Sequence, residues 1–282
     1  MTTKTGSNFV AIKDPDDPRL ASYSSLKGKS LEREGVFIAE GEKVVESMVT
    51  SGCRIASSLT ARGAIARYKG LLAVMAKRGA VNYVAADELI EGIIGFRFHK
   101  GIMAVGYCPK KLTVSDVLKK PERPLLLVAL NAINDPQNVG LIARNAAAFG
   151  VRALIVDHAT YDPYYRKAVR VSMGTIFRLP VCYEDDLGSS LIRLKEKYDT
   201  RIIAATPGRG ARDIAKTDLS GNICFVFGNE DKGISRRVLS IADARVRIPI
   251  SKAVDSLNVA SASAVCLYEA SRTVPDRRPG RR

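Results

Sequence analysis

The sequence predicts an α/β protein in two parts, a small α/β domain followed by a larger domain built on a parallel sheet. Three observations predict it. Segments of strand-like and helix-like spacing alternate along the chain. The strand-like runs of the second part are continuously apolar, as in strands covered on both faces. A charged, proline-rich stretch from Pro109-Lys110-Lys111 to Lys119-Lys120-Pro121-Glu122-Arg123-Pro124 separates the parts. A chain of 282 residues has room for about two domains.

Residues 1–30 are expected to form a flexible arm with at most one helical turn, because Asp14-Pro15-Asp16-Asp17-Pro18 interrupts any periodicity. The first domain is placed at 31–108. Val36–Ala39 reads as a strand, and Glu42–Ser51 as a helix with Val44, Val45, Met48 and Val49 on one side. Ile55–Leu59, Val81–Val84 and Ile102–Tyr107 read as strands, Ala64–Lys77 and Asp87–Ile94 as helices. Residues 109–123 read as a linker. The second domain, 124–274, opens with the apolar run Leu125–Leu130. Similar runs follow at Ala153–Val156, Ile202–Ala205, Ile223–Phe227 and Val246–Ile250. Strand–helix alternation of this kind gives a parallel sheet with its sites at the strand C-termini. Residues 275–282 form a basic tail.

The formal charge is +15, and both parts are basic: residues 1–110 carry 16 basic and 11 acidic side chains, residues 111–282 carry 28 and 18. Such a balance suits a polyanionic partner, since clustered Lys and Arg neutralise phosphates and release counterions. No apolar stretch approaches the ~18 residues of a membrane span, and Met1–Asn8 lacks the apolar core of a secretory signal. A cytoplasmic protein is expected. Five scattered cysteines (Cys53, Cys108, Cys182, Cys224, Cys266) contain no C-x-x-C pair, which argues against disulfides and a zinc site.

Three segments carry candidate chemistry. In Asn131–Gly150, Asp135 before Pro136 suits a helix start and Gly150 a helix end. Gly140 and Arg144, four apart, share a face; alone, Arg144 reads more simply as a solvated charge. Phe227-Gly228-Asn229-Glu230-Asp231-Lys232-Gly233-Ile234-Ser235 follows an apolar strand directly, and serves a ligand-wrapping loop or a tight turn equally well. After Ile248-Pro249-Ile250 comes Asp255-Ser256-Leu257-Asn258-Val259-Ala260, where Ser256 is placed to cap a helix running to about Arg272.

In this order and spacing the three segments resemble the signature motifs of the SpoU (TrmH-type) branch of the SPOUT RNA methyltransferases. D-P-x-N-x-G-x-x-x-R-x-A runs from Asp135 to Ala146, G-x-E-x-x-G-I-S from Gly228 to Ser235, and I-P with S-L-N-V from Ile248 to Val259. Phe37, Glu40, Gly41, His99, Lys100 and Gly101 are similar to the family's substrate-binding domain of the ribosomal L30e type. The resemblance implies a C-terminal trefoil knot, S-adenosylmethionine as cofactor, a homodimer, and transfer to a ribose 2′-hydroxyl. It makes Arg144 the residue that activates the hydroxyl, with Asn138, Glu230, Ser256 and Asn258 beside it. Backbone around Thr206, Gly228, Ile248 and Leu257 would hold the cofactor. Ribosomal RNA is the preferred substrate and transfer RNA the alternative.

Two departures stand out: Ile250 replaces a common methionine, and Lys252 a glycine. Lys100 stands where glutamine is frequent. Tyr161–Arg170 interleaves tyrosines with Arg166, Lys167 and Arg170, which suits either RNA stacking or a solvated helix with a packed tyrosine. Three other readings compete. Gly208-Arg209-Gly210 follows a strand, but Asp213 spoils a dinucleotide-binding fingerprint. With only His99 and His158, a histidine triad has little support. A non-catalytic RNA-binding protein of the same fold would be expected to lack Arg144 or the Gly228–Glu230 loop.

Overall fold

A computed structural model describes residues 9–24, 31, 34–119, 124–208, 210–251 and 253–273. Lys252, residues 120–123 of the expected linker and the tail at 275–282 lie outside the described residues. Two compact units are present, Met1–Pro109 with Tyr164–Phe177, and Lys110–Pro163 with Arg178–Arg282.

In the first unit β1 (Phe9–Ala11), β2 (Val36–Glu40), α1 (Glu42–Thr50), β3 (Ile55–Ala61), α2 (Ile65–Lys77), β4 (Val81–Ala85), α3 (Asp87–Ile94) and β5 (Ile102–Tyr107) follow in order. The sheet runs β1-β4-β3-β5-β2. The expected arm is corrected over 9–24. β1 pairs in parallel with β4, and Ile12, Leu20 and Tyr23 are buried in the core around Ile38, Leu59 and Met103. Burying three large side chains outweighs the prolines' disruption of periodicity, because each contributes roughly 1.5–3 kcal/mol. Antiparallel pairing of β2 with β5 sets Glu40 opposite Met103, and Gly41 N–H donates to the Ile102 carbonyl at 2.9 Å. This register brings the Glu40-Gly41 and Lys100-Gly101 pairs together; a Cβ on Gly41 (φ +88°) would touch the Lys100 side chain at 3.4 Å.

The second unit begins with α4 (Val114–Val117), capped by Thr113 and Asp116. Val114 and Leu118 are buried in its core, so much of the expected linker is part of the fold. β6 (Leu126–Asn131), α5 (Pro136–Ala148) and β7 (Ala153–Asp157) follow.

The next segment belongs to the first unit. It carries α6 (Arg166–Val171), which packs on β2. Phe37 meets the rings of Tyr164 and Phe177 at 5.6 and 4.9 Å. Arg166 donates to the buried Glu40 carboxylate at 3.0 Å, and its guanidinium stacks over Phe96 at 4.7 Å. The second domain expected at 124–274 is therefore interrupted at 164–177, and Arg166 and Tyr164 are committed to packing. Arg166→Ala would leave the buried Glu40 carboxylate only the more distant Arg170, at 3.9 Å, and is expected to destabilise the protein by roughly 1–3 kcal/mol, read as a lowered urea midpoint at unchanged slope.

The chain then forms β8 (Val181–Glu184), α7 (Leu187–Tyr198), β9 (Thr200–Ala205), β10 (Arg212–Asp213), β11 (Asn222–Gly228), α8 (Arg236–Ile241), β12 (Ala244–Arg247) and α9 (Val259–Thr273). Every pairing in the sheet β10-β12-β9-β11-β6-β7-β8 is parallel. Leu125, Leu127 and Ala129 pack with Leu187, Leu191, Leu194 and Val238 of α7 and α8. Strand alternation turns Leu126, Val128 and Leu130 to the other face; α9 covers that face of β11 and packs on α5. Both faces are covered, which explains the continuous apolar runs. β12 ends at Arg247, earlier than the run Val246–Ile250 suggested, since Pro249 has no N–H to continue a ladder. β10 and a short helical turn follow Gly210, where a dinucleotide fingerprint would need a helix.

Cys182, Cys224 and Cys266 are buried, and burial pushes all three thiols up, Cys182 and Cys266 to about 12. A chromogenic disulfide reagent at pH 8 is expected to label only Cys53 and Cys108 in the native protein; labelling of all five without denaturant would reject this burial.

Candidate active site

The site lies at the C-terminal ends of β6 and β11, neighbours in the sheet from which the chain departs in opposite directions. In parallel α/β sheets such a switch point opens a crevice. Each loop there is built locally. Asp135 caps α5 by accepting from Gln137 N–H at 2.9 Å, Pro136 occupies the first helical position, and Gly150 ends the helix at φ +70°. After β11, Asn229 Oδ1 accepts from the N–H groups of Asp231 and Lys232, and Gly233 N–H closes the turn on the Asn229 carbonyl at 2.9 Å.

Asn138 is buried at 4% exposure and joins the three motifs. Its Nδ2 donates to Glu230 Oε1 at 2.5 Å, and its Oδ1 accepts from Asn258 Nδ2 at 3.0 Å. A carboxylate only accepts, so Glu230 fixes which way the Asn138 amide points, and Asn138 in turn fixes Asn258. Asn258 Oδ1 accepts from Ala260 and Ser261 N–H at 2.9 and 3.3 Å. Asn258 therefore caps α9, correcting the expectation that Ser256 does. The helix starts at Val259, one residue past Asn258 and too far on for Ser256; Ser256 is exposed in the preceding loop.

Arg144 is exposed two turns along α5 from Asn138, and no hydrogen bond or ion pair to a described residue engages it. Glu230 is held by Asn138, not by Arg144.

Thr206 follows β9, and its N–H donates to the Val246 carbonyl of β12 at 2.9 Å. Ile248 is half-buried and Leu257 is 39% exposed. Thr206 and Ile248 thus follow the ends of β9 and β12, and Leu257 lies in the loop before α9. Together with Gly228 they offer backbone groups and apolar side chains, a set whose chemistry fits the adenine and methionine parts of S-adenosylmethionine. A cleft of about 380 Å³ beside the start of α5 is lined by Asn131, Ala132, Asn134, Asn229, Lys232 and Ser235, and by none of Thr206, Gly228, Ile248 or Leu257.

Sequence reasoning quoted Asn131 and Asn229 without giving them a role and missed Asp157, although all three hold these loops. The one signal was a polar residue at or just past the ends of β6, β7 and β11.

Residues 125–268 match the model of the SpoU rRNA Methylase family. An uncharacterized tRNA/rRNA methyltransferase of Mycobacterium tuberculosis is 34% identical over 278 residues, 95% of this chain and 93% of that protein. The 23S rRNA (guanosine-2′-O-)-methyltransferase RlmB of Vibrio vulnificus is 35% identical over 177 residues, 62% of this chain and 70% of that protein. The AdoMet-bound rRNA methyltransferase from Sinorhizobium meliloti superposes with a TM-score of 0.83 at 25% identity, covering 94% of this chain and 98% of that one. The SpoU methyltransferase AviRb from Streptomyces viridochromogenes shares the fold, with a TM-score of 0.80 over 93% of this chain and all of that one. With three motifs tied at one switch point and a family match across the sheet that carries them, the chain belongs to the SpoU rRNA Methylase family.

Proposed function

We propose that this protein transfers a methyl group from S-adenosylmethionine to a ribose 2′-hydroxyl of ribosomal RNA, with Arg144, Asn138, Glu230 and Asn258 at the reacting centre. The observation that carries the reading is the Glu230–Asn138–Asn258 chain, which holds one residue of each motif in fixed relation on the helix that bears Arg144.

The cofactor supplies a methyl group already activated on a sulfonium. The protein must therefore place the hydroxyl in line and stabilise negative charge on its oxygen. A guanidinium keeps its proton at working pH and makes a poor base. Arg144 acts as a fixed positive charge facing the developing alkoxide. Glu230 Oε2, the oxygen that Asn138 leaves open, accepts the hydroxyl's hydrogen bond, orients it and takes up its proton as the methyl group is transferred, passing it on to water. Backbone at Thr206, Gly228, Ile248 and Leu257 holds the cofactor, and Ser256 lines the same loop.

The first unit serves as an L30e-like RNA-binding domain, and the basic charge of both units supports an RNA partner. The family's knot fits the passage of α9 against α5. A homodimer fits the exposed Val265 and Tyr268 of α9. Among the described residues no helix is long and apolar enough to cross a membrane, and a cytoplasmic enzyme fits an RNA substrate.

The test is incubation with tritium-labelled S-adenosylmethionine and total RNA from cells lacking this gene. Label in one ribosomal RNA, recovered as an alkali-resistant dinucleotide, supports the reading. Label in transfer RNA keeps the chemistry and rejects the substrate. Cofactor binding without label in any fraction rejects catalysis on free RNA.

A further inference from the structure

A carboxylate outside the three motifs stands at the head of α5. Asp157 ends β7, is 8% exposed, and forms no ion pair with a described residue. Its oxygens accept from Asn131 Nδ2 at 2.8 Å, from Ala132 N–H at 3.0 and 3.1 Å, and from Thr160 Oγ1 at 2.7 Å. A buried charge is tolerated only when hydrogen bonds replace its water, and here the donors converge on the β6–α5 loop.

The neighbouring backbone is held as fully. Ile133 N–H donates to Thr160 Oγ1 at 3.2 Å, and Tyr161 N–H to the Ile133 carbonyl at 2.9 Å. Asn229 Nδ2 donates to the Ala132 carbonyl at 2.9 Å, and Ser235 N–H to Asn131 Oδ1 at 2.8 Å. What they hold is strained: Ala132 has φ +59°, a left-handed conformation that crowds its Cβ against a carbonyl. Such residues persist where their surroundings over-determine them, and they cluster at functional sites.

We propose that Asp157 is a positioning residue for methyl transfer: it clamps Ala132 in the left-handed conformation and so sets the entry of α5. The proposal rests on the reading that α5 carries Asn138 and Arg144 to the reacting centre. Asp135 caps the helix three residues after Ala132, and a rigid helix passes any rotation of its first turn on to both side chains. Through Asn131 and Asn229 the clamp also ties the loop after β11 to the same point.

The test compares Asp157→Asn with Asp157→Asn/Ala132→Gly, measuring kcat for label transfer to RNA from cells lacking this gene, cofactor Kd and melting temperature. Asparagine keeps the shape but loses the charge and one of two acceptor oxygens: its NH₂ must face either Asn131 Nδ2, a donor, or the Thr160 hydroxyl, which must then turn to accept. With the entry of α5 displaced, kcat is expected to fall about 10- to 100-fold. Cofactor Kd should stay within about twofold, because the β9 and β12 loops are untouched. Glycine takes φ > 0 freely, so the double variant is expected to recover at least about fivefold of kcat. A merely structural clamp would lower the melting temperature and leave kcat of the folded enzyme unchanged; that result, or no recovery with glycine, overturns the proposal. Should Asp157→Asn not fold, Thr160→Val removes the shared hydroxyl at constant shape, and an unchanged kcat there overturns it equally. Arg144→Ala separates the two readings. If it is inactive while Asp157→Asn is fully active, the clamp alone fails; if it is fully active, the placement of α5 at the reacting centre fails.

Discussion

Arg144→Ala is expected to lower kcat by about 10²–10³-fold, the effect of removing one preorganised charge from an anion-stabilising site, with little change in cofactor Kd. The structure supplies the reason for the split. Arg144 is exposed on α5, and no hydrogen bond or ion pair to a described residue engages it. On the proposed reading this charge serves the substrate oxygen and not the cofactor. Arg144→Lys keeps the charge and loses the planar fork, so its rate should fall between wild type and alanine. Because a guanidinium stays charged, the loss in Arg144→Ala should be the same from pH 6 to pH 9. Single-turnover label transfer measures this directly. Full activity in Arg144→Lys would reject a role for the fork, and full activity in Arg144→Ala would reject the electrostatic role altogether.

Gly228→Ala is expected to weaken cofactor binding by at least about tenfold and to cost roughly 1–3 kcal/mol of stability, the usual range for forced overpacking. A Cβ on Gly228 would lie 2.4 Å from Ile234 N, 2.5 Å from Gly233 C and 2.7 Å from Gly233 O. These are backbone atoms of a loop closed by Asn229 and anchored through Ser235 to Asn131, so they have no rotamer into which to retreat. Gly233 is the control. It sits at φ +68° with nothing within 4 Å of a Cβ, so Gly233→Ala should cost only the left-handed penalty of roughly 1–2 kcal/mol. Calorimetric titration with S-adenosylmethionine, beside thermal melts, separates the two. Wild-type affinity in Gly228→Ala would show that the loop adjusts freely.

The two variants rest on information of different kinds. Arg144 and Gly228 both stand out in the sequence by their spacing within motifs. Why Gly228 must be glycine does not: a turn would explain it by a positive φ, yet the cause is the return of Gly233 and Ile234 across it. Asp157 carries no motif at all. It becomes visible only when the end of β7 is seen against the β6–α5 loop, 25 residues away in sequence. Ser256 and Asn258 illustrate the same limit at short range. Both residues favour helix caps, and the bond that Asn258 donates to Asn138 holds it, and not Ser256, where α9 begins.

Local pattern was enough to read the parallel sheet, the places of most of its long strands along the chain, the ends of α5 and the three motifs that identify the family. These are properties of local periodicity and of residue types whose preferences act within a few positions. The tertiary structure alone decided that residues 9–24 join the first sheet, that 164–177 pack with the first unit through Glu40 and Phe37, and that Asn138 bridges Glu230 and Asn258. It also decided that a strained Ala132 is clamped by Asp157. Each depends on contacts between residues distant in the chain. Proline-broken periodicity does not reveal that Leu20 and Tyr23 will be buried, and a charged helix face does not reveal that a buried carboxylate awaits its arginine. The free energy of the apolar contacts comes from removing both partners from water together, that of the polar ones from bonds that replace those lost to water, and no stretch of sequence records either event on its own.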